Sequence, residues 1–212
     1  MGNPRARARF ARSVDHRRKS AGLLAYDAMT NRNKRPPFII SAASVPERRT
    51  HYPNSDEHHG YAKGIGRAAG LVKTGVNLMR LPPGERSSWP HAHENTEEFV
   101  YVVEGEVDAW IDGSIHTMRV GDFAAFPAGT GICHCFLNNS EREAVLLVGG
   151  EASKWDDPIY YPLHPQRRND MPWSAWWEDV PKRRLGTHDG MPDALRGRSA
   201  NRGSRKRAPR KS

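Results

Sequence analysis

The sequence has few cysteines and no long apolar run, and both features limit what the protein can be. Its two cysteines, Cys133 and Cys135, lie two positions apart among 212 residues. Neighbours on one face of a strand cannot form a disulfide without strain, so we expect reduced thiols and an intracellular, cytoplasmic setting. No apolar run approaches the roughly 18 residues that a membrane helix needs. We therefore predict no transmembrane segment.

Acidic residues are scarce at both ends of the chain. Residues 1–36 contain ten Lys or Arg against two Asp, and residues 181–212 contain eleven against two. Residues 37–180 are instead acidic, with 12 basic and 20 acidic residues within a total formal charge of +9. We therefore predict one domain between two basic, disordered tails, at 1–36 and 181–212.

The two basic tails leave several interpretations open. An Arg-rich, acid-poor N-terminus can be a transit peptide for an organelle such as the mitochondrion, but we favour a solvated tail, and translation could start at Met29 instead of Met1. The C-terminal run Arg-Lys-Arg-Ala-Pro-Arg-Lys-Ser fits a nuclear signal or contact with phosphate. Nothing in it reads bases, so a nucleic-acid partner is the weakest of our hypotheses.

Short apolar segments between turn signals predict an all-β domain over residues 37–162. Alternation places Glu98, Val100 and Val102 on one strand face. Asp112-Gly113 is a hairpin signal, because glycine accepts the positive φ that a type I′ turn requires. We predict strands at 38–40, 71–81, 98–103, 107–111, 114–120, 123–126, 132–138 and 144–148.

Three histidines and a carboxylate in these segments form a candidate metal site. His91 and His93 share one face because alternate residues of a strand point the same way, and Glu98 begins the alternating run that follows. His134 lies on the strand predicted at 132–138. We predict that these four side chains bind one divalent ion, which could be Fe²⁺, Mn²⁺, Ni²⁺ or Zn²⁺. The alternative is a polar pocket without metal.

The sequence Cys133-His134-Cys135 could also indicate a zinc site. Consecutive strand residues point to opposite faces, so the two thiolates cannot join the histidine on one ion. We therefore expect both cysteines to face away from the cavity that His134 lines.

These residues resemble the two motifs of the cupin superfamily. Residues 84–105 are similar to Gly-x5-His-x-His-x3,4-Glu-x6-Gly, and residues 121–138 to Gly-x5-Pro-x-Gly-x2-His-x3-Asn. One extra residue precedes His91 and two extra residues precede His134. The resemblance implies a single cupin β-barrel, which is a double-stranded jelly roll, and it identifies the same four ligands. It is shared with small single-domain cupins that have no assigned substrate.

A jelly-roll barrel encloses a pocket, and this ligand set leaves coordination positions open on an octahedral ion. We therefore expect a divalent-metal-dependent enzyme of the dioxygenase, lyase or isomerase type that acts on a small polar molecule. Its catalytic residues beyond the ligands are unknown. The alternative is a small-molecule-binding or sensing cupin module that catalyses nothing.

Two further segments carry predictions. A Trp-rich arm at 163–180 should pack over the barrel mouth or over a second subunit, and the second arrangement would give a homodimer. The alternative is a satellite cluster of aromatic residues without ligand contact.

His51, His58 and His59 lie in a polar stretch, where we expect solvated loop histidines rather than a second metal site.

Overall fold

The first described residues form a turn where the sequence predicts a strand. The computed structural model describes residues 35–152, 157–172 and 175–196, and the predictions for 1–34 and 197–212 lie outside them. The chain divides into two units, 1–40 and 41–212. In the first, the Ile39 amide donates to the Pro36 carbonyl oxygen at 3.0 Å, and the Phe38 side chain is exposed. The predicted strand at 38–40 is therefore wrong, because the preceding prolines lack the amide protons that pairing needs.

The described residues of the second unit form an all-β fold, as the sequence predicts. The described residues contain the four-residue helix α1 (Ile65–Ala68), a helical turn at 193–196, and 3-10 helices at Ala42–Ser44 and Pro165–Asp170. No helix among the described residues is long and apolar enough to cross a membrane. The strands are β1 (Arg48–His51), β2 (His58–Lys63), β3 (Thr74–Leu81), β4 (Ala92–His93), β5 (Glu98–Glu104), β6 (Glu106–Ile111), β7 (Ser114–Arg119), β8 (Phe123–Phe126), β9 (His134–Leu137), β10 (Ala144–Glu151) and β11 (Ile159–Tyr160).

The strands form two facing layers. The larger layer is a six-stranded sheet in the order β1-β2-β3-β10-β5-β8. The other contains a three-stranded sheet, β7-β6-β9, and the pair β11-β4. Residues 84–91 extend this second layer, since Ser87 donates to the Phe136 carbonyl oxygen at 2.8 Å and His91 and His134 exchange backbone hydrogen bonds. Strand pairing among the described residues does not close the layers into one continuous cylinder.

The core lies between the layers, and β5 shows how the sequence fills it. Val100 and Val102 are buried, whereas Tyr101 and Val103 are 38% and 43% exposed. The predicted alternation is therefore confirmed, and it turns Glu98 toward the interior together with the two valines. The buried residues packed between the layers are Leu81, Val100, Val102, Val107, Ala109, Met118, Phe126, Phe136, Ala144 and Leu146.

The predicted hairpin at Asp112-Gly113 is also confirmed. The two residues have φ of 47° and 85°, as a type I′ turn requires, and Ile111 pairs with Ser114 across it. A Cβ at Gly113 would lie 2.5 Å from the Gly186 amide nitrogen, so the close approach of the C-terminal chain also requires glycine here.

That C-terminal chain packs on the second layer. The Gly186 amide donates to the Asp112 carbonyl oxygen at 2.7 Å, and the Trp110 indole donates to the His188 carbonyl oxygen at 2.8 Å. The Asp193 amide donates to the Asn139 side chain at 2.9 Å. Specific contacts therefore continue well beyond position 181, where the sequence predicts that a disordered tail begins.

A buried arginine joins this C-terminal chain to the second layer. Arg86 is 1% exposed and donates to both carboxylate oxygens of Glu57, at 2.6 and 2.7 Å. Its third nitrogen donates to the Gly190 carbonyl oxygen at 2.7 Å, and the Trp89 indole donates to Glu57 at 3.0 Å. One bidentate ion pair thus fixes three chain segments that are distant in sequence.

We predict that Arg86→Met destabilises the protein by about 3–5 kcal/mol, because Glu57 would keep a largely buried charge without its partner. Urea unfolding measures the change. The matched control is Arg119→Met, since Arg119 is 71% exposed and lies 3.6 Å from Glu106; it should cost less than about 1 kcal/mol. Equal losses in the two variants would contradict the role assigned to Arg86.

Candidate metal centre

The structure brings the four predicted ligands together at one end of the cavity between the layers. The Nε2 atoms of His134, His93 and His91 lie 3.0, 3.4 and 3.5 Å from one atom, the Oε2 oxygen of Glu98. His91, Glu98 and His134 can each offer a ligand atom such that all three atoms lie within 4.8 Å of one another. His93 joins this group through its contact with Glu98, and its ring centroid lies 4.9 Å from that of His91.

Strand geometry places these side chains. His91 and His134 are opposite each other in an antiparallel bridge, so their side chains project from neighbouring strands on the same side. Glu98 opens β5 in the facing layer, and Phe126 is its partner on β8. The Phe126 ring stacks on His134 with centroids 3.6 Å apart and planes 7° apart. The stacking fixes the plane of the His134 imidazole.

The other ring nitrogen of each histidine has an acceptor of its own. His91 Nδ1 lies 2.8 Å from the Trp89 carbonyl oxygen, and His134 Nδ1 lies 3.3 Å from the Ile132 carbonyl oxygen. His93 Nδ1 lies 2.6 Å from Oδ2 of Asp157. Carbonyl and carboxylate oxygens only accept, so Nδ1 carries the proton in each ring. In a neutral imidazole the lone pair is then on Nε2, which faces Glu98.

This arrangement fits a divalent ion. Three Nε2 lone pairs and a carboxylate oxygen repel one another unless a proton or a cation lies between them. Two ligands that lie about 2.1 Å from one ion at right angles are about 3 Å apart, which matches the observed contacts to Glu98. The Asp157–His93 hydrogen bond is typical of the carboxylate partners that orient metal-ligating imidazoles.

The environment shifts the pKa values of several groups in the centre. Burial opposes ionisation of Glu98, but the close contacts of its carboxylate with the His134 and His91 rings outweigh burial and hold the pKa of this carboxyl well below its ordinary value. Burial also opposes protonation of His93, yet its bond with Asp157 raises the pKa. Burial dominates at His134, whose pKa is lowered. Glu98 therefore carries its charge at neutral pH.

The centre lies in a cavity of about 360 Å³, near the lower end of the range for small-molecule pockets. Its apolar wall includes Met79, Val100 and Val148. The polar groups that line it, in addition to the four predicted ligands, belong to His51, Tyr52, His59, Ser87, Ser88 and Tyr161.

The three histidines of the polar stretch do not form a second centre. His51 and His58 pair across β1 and β2, with ring centroids 6.1 Å apart. His59 is the next residue of β2 and lies on the opposite face, where it is 3% exposed. The expectation of solvated loop histidines is therefore wrong for His59, because its neighbours Tyr52 and Trp89 bury it through contacts that the local sequence does not show.

Both cysteines are buried free thiols, and burial raises the pKa of each to about 12. They pack with Trp110 and Leu137, away from the cavity, as predicted. Asn138 does not reach the cavity either: its side chain donates to the Leu81 and Arg142 carbonyl oxygens, each at 2.7 Å. Its role is to hold loop backbone.

Sequence reasoning missed Asp157 and Tyr161. Asp157 is 6% exposed and accepts from the Asn95 amide at 3.0 Å as well as contacting His93. The Tyr161 ring lies 5.8 Å from His91 and 6.3 Å from Trp176. Asp157 starts the sequence Asp-Pro-Ile-Tyr-Tyr-Pro, and the only signal in the sequence was an acid directly before a short apolar segment.

Comparison with known proteins identifies the family. Residues 77–150 match the family model for the cupin domain. The crystal structure of a cupin-superfamily sugar phosphate isomerase from Silicibacter pomeroyi is 35% identical in sequence, with a TM-score of 0.53, over 58% of this chain and 80% of that chain. The chain belongs to the cupin superfamily. The resemblance of residues 84–138 to the two cupin motifs is thereby confirmed, together with the all-β single-cupin fold.

Two curated relatives are similar to this cupin over shorter stretches. Polyketide synthase CurC from Streptomyces cyaneus is 38% identical over 83 residues, which are 39% of this chain and 49% of that protein. Quercetin 2,3-dioxygenase from Bacillus subtilis (strain 168) is 29% identical over 82 residues, which are 38% of this chain and 23% of the dioxygenase. The cupin thus matches half or less of the length of each.

We predict that His59 makes this cupin less stable at mildly acidic pH. Burial is the largest cause that lowers the pKa of His59, from 6.5 to about 4. Between these values the unfolded chain binds the proton and the folded chain does not, so the free energy of unfolding falls as pH decreases. His59→Gln should remove about 2 kcal/mol of the decrease between pH 7 and pH 5.

Urea unfolding at the two pH values measures this difference. His116→Gln is the control, because His116 is exposed on β7, and it should keep the full pH dependence. The same decrease in wild type and His59→Gln would show that His59 is not the group responsible.

Proposed function

We propose that this cupin is a divalent-metal-dependent enzyme that acts on a small polar molecule. Its metal ligands would be His91, His93, Glu98 and His134. The observation that carries the proposal is the convergence of three imidazole Nε2 atoms on one ionised carboxylate oxygen inside a cavity. A single divalent ion between these atoms would relieve the repulsion for all four groups at once.

The ligand set favours Fe²⁺, Mn²⁺, Ni²⁺ or Zn²⁺, and does not choose among them. A bound ion of this kind would polarise a substrate carbonyl or lower the pKa of a coordinated water. The protein groups supply the orientation. Asp157 and the Trp89 and Ile132 carbonyl groups hold the rings, and Met79, Val100 and Val148 provide an apolar wall to the cavity.

Among the reaction classes that we expected, we rank isomerase chemistry first. The Silicibacter pomeroyi protein that supports it is named a sugar phosphate isomerase, and this chain covers 80% of it. Dioxygenase chemistry is supported by a relative of which this chain covers 23%. An isomerase needs a polarised carbonyl and a group that moves a proton, and it uses no oxygen, so activity under argon separates the two classes.

We predict that His91→Ala and His93→Ala each lose at least nine-tenths of the bound metal while remaining folded, since each removes one imidazole donor from the set. Elemental analysis of protein purified without chelator measures the metal, and circular dichroism measures folding. His116→Ala, which changes an exposed histidine on β7, should keep its metal. Full occupancy in both site variants would reject this ligand assignment.

We predict a smaller effect for Asp157→Asn. The substitution keeps the size of the side chain but removes the charge that orients His93, so metal affinity should fall about 10–100-fold. Competition with a fluorescent chelator measures the affinity. Asp108→Asn is the matched control, because Asp108 accepts from Thr117 and Asn139 on the outer part of the second layer. Unchanged affinity in Asp157→Asn would remove Asp157 from the centre.

A further inference from the structure

A histidine outside the proposed ligand set lines the same cavity. His59 is 3% exposed, a backbone group of Arg86 lies near it, and neither of its ring nitrogens makes a hydrogen bond of normal geometry among the described residues. An imidazole has one donor and one acceptor, and a buried polar atom without a partner costs about 1–3 kcal/mol. Two such atoms on one cavity wall indicate that their partner is a molecule that enters the cavity.

The backbone directs His59 into this position. The register of β1 and β2 shifts between Arg49 and Thr50, so that Arg49 pairs with Tyr61 and Thr50 with His59. Gly60 is the extra residue of this bulge and has φ of +53°. A Cβ there would lie 2.8 Å from the Arg80 carbonyl oxygen. Bulges of this kind redirect a side chain, and here the redirected side chain is an imidazole without partners.

Aromatic rings connect His59 to the metal centre. The ring centroids of His59 and Tyr52 are 5.0 Å apart, those of Tyr52 and Tyr161 are 5.8 Å apart, and those of Tyr161 and His91 are 5.8 Å apart. The cavity therefore has a charged end at the predicted ligands and a neutral polar end at His59. None of the described residues that line it is a Lys or an Arg. The Arg167 guanidinium lies over the Tyr52 and Tyr161 rings, 5.2 and 5.9 Å from their centroids, and is not part of the lining.

We propose that His59 is a substrate-binding residue. Its ring nitrogens hydrogen-bond different hydroxyl groups of a neutral, polyhydroxylated carbonyl compound, and the carbonyl end of this compound lies at the metal centre. This inference rests on the proposed function and adds the class of substrate. Hydroxyl groups both donate and accept, so they satisfy either nitrogen of a neutral imidazole. A cavity of about 360 Å³ fits a compound of this kind with a few carbon atoms.

Nitrogen-15 NMR of the full-length protein tests the proposal directly. The protein is loaded with Zn²⁺, labelled in its histidine rings, and titrated with D-erythrose, D-ribose and D-glucose, each with and without a terminal phosphate. The His59 signals are assigned by their loss in His59→Gln. We expect at least one neutral sugar to shift the ring nitrogens of His59. If none of the six compounds binds, or if binding leaves His59 unshifted, the proposal is overturned.

Two substitutions measure how much the contact contributes. His59→Phe keeps a ring but loses both hydrogen bonds, so the affinity for the bound sugar should fall at least about tenfold. His59→Gln retains a donor and an acceptor and should stay within about threefold of wild type. His116→Gln is the control, and metal content should be unchanged in all three. Equal affinity in His59→Phe and wild type would overturn the proposal. If His59→Phe does not fold, the nitrogen-15 titration of the wild-type protein tests the proposal instead.

The same measurements separate this inference from the proposed function. Protein that binds no metal but whose His59 signals still shift with sugar would overturn the metal-dependent function and leave His59 as a ligand-binding residue. If the protein binds metal and sugar but the nitrogen-15 signals of His59 do not shift, only the inference about His59 is overturned. A phosphorylated sugar that binds more tightly than its neutral form would overturn the assignment of a neutral substrate.

Discussion

The contact between the Glu98 carboxylate and three imidazole rings is the constraint on which the rest of this structure depends. In each ring, Nδ1 donates its proton to an oxygen acceptor of the protein. This hydrogen bond orients the ring so that Nε2 faces the carboxylate. His134 is further held by its stack on Phe126, and His91 by its bridge to His134. The two facing layers thus place three Nε2 atoms and the Glu98 oxygen close together. Hydrogen bonds and ring stacking keep these side chains from rotating away.

This concentration gives the cavity two unlike ends. At the predicted metal centre the groups are the Glu98 carboxylate and imidazole nitrogens with lone pairs, which a cation would stabilise. At the end that contains His59 and Tyr52 the polar groups are neutral and the surroundings aromatic. A molecule that bridges the ends must be polar along its length and able to orient a reactive group toward the ion. Orientation of this kind is the part of catalysis that a rigid scaffold supplies best.

Much of the predicted metal centre follows from the two-residue period of β-strands. Alternation alone turns Glu98 inward with Val100 and Val102, and it turns Cys133 and Cys135 away from His134. The Asp112-Gly113 turn is equally local, because it depends on the φ that two residues can adopt. The family follows from the spacing of these same residues. Features determined by neighbours in the sequence were therefore predictable.

Features determined by distant contacts were not. His59 lies in a polar stretch that resembles a loop, and only its packing against Tyr52 and Trp89 shows that it is buried. The chain around Gly186 and His188 is bound through backbone atoms, which leave no pattern of side chains to recognise. Arg86 connects the C-terminal chain to the packing around His59. It donates to the Gly190 carbonyl oxygen, and its partner Glu57 also accepts from Trp89. The wall that holds His59 is thus supported by the C-terminal chain, so the binding end of the cavity is built from parts of the sequence that lie far apart.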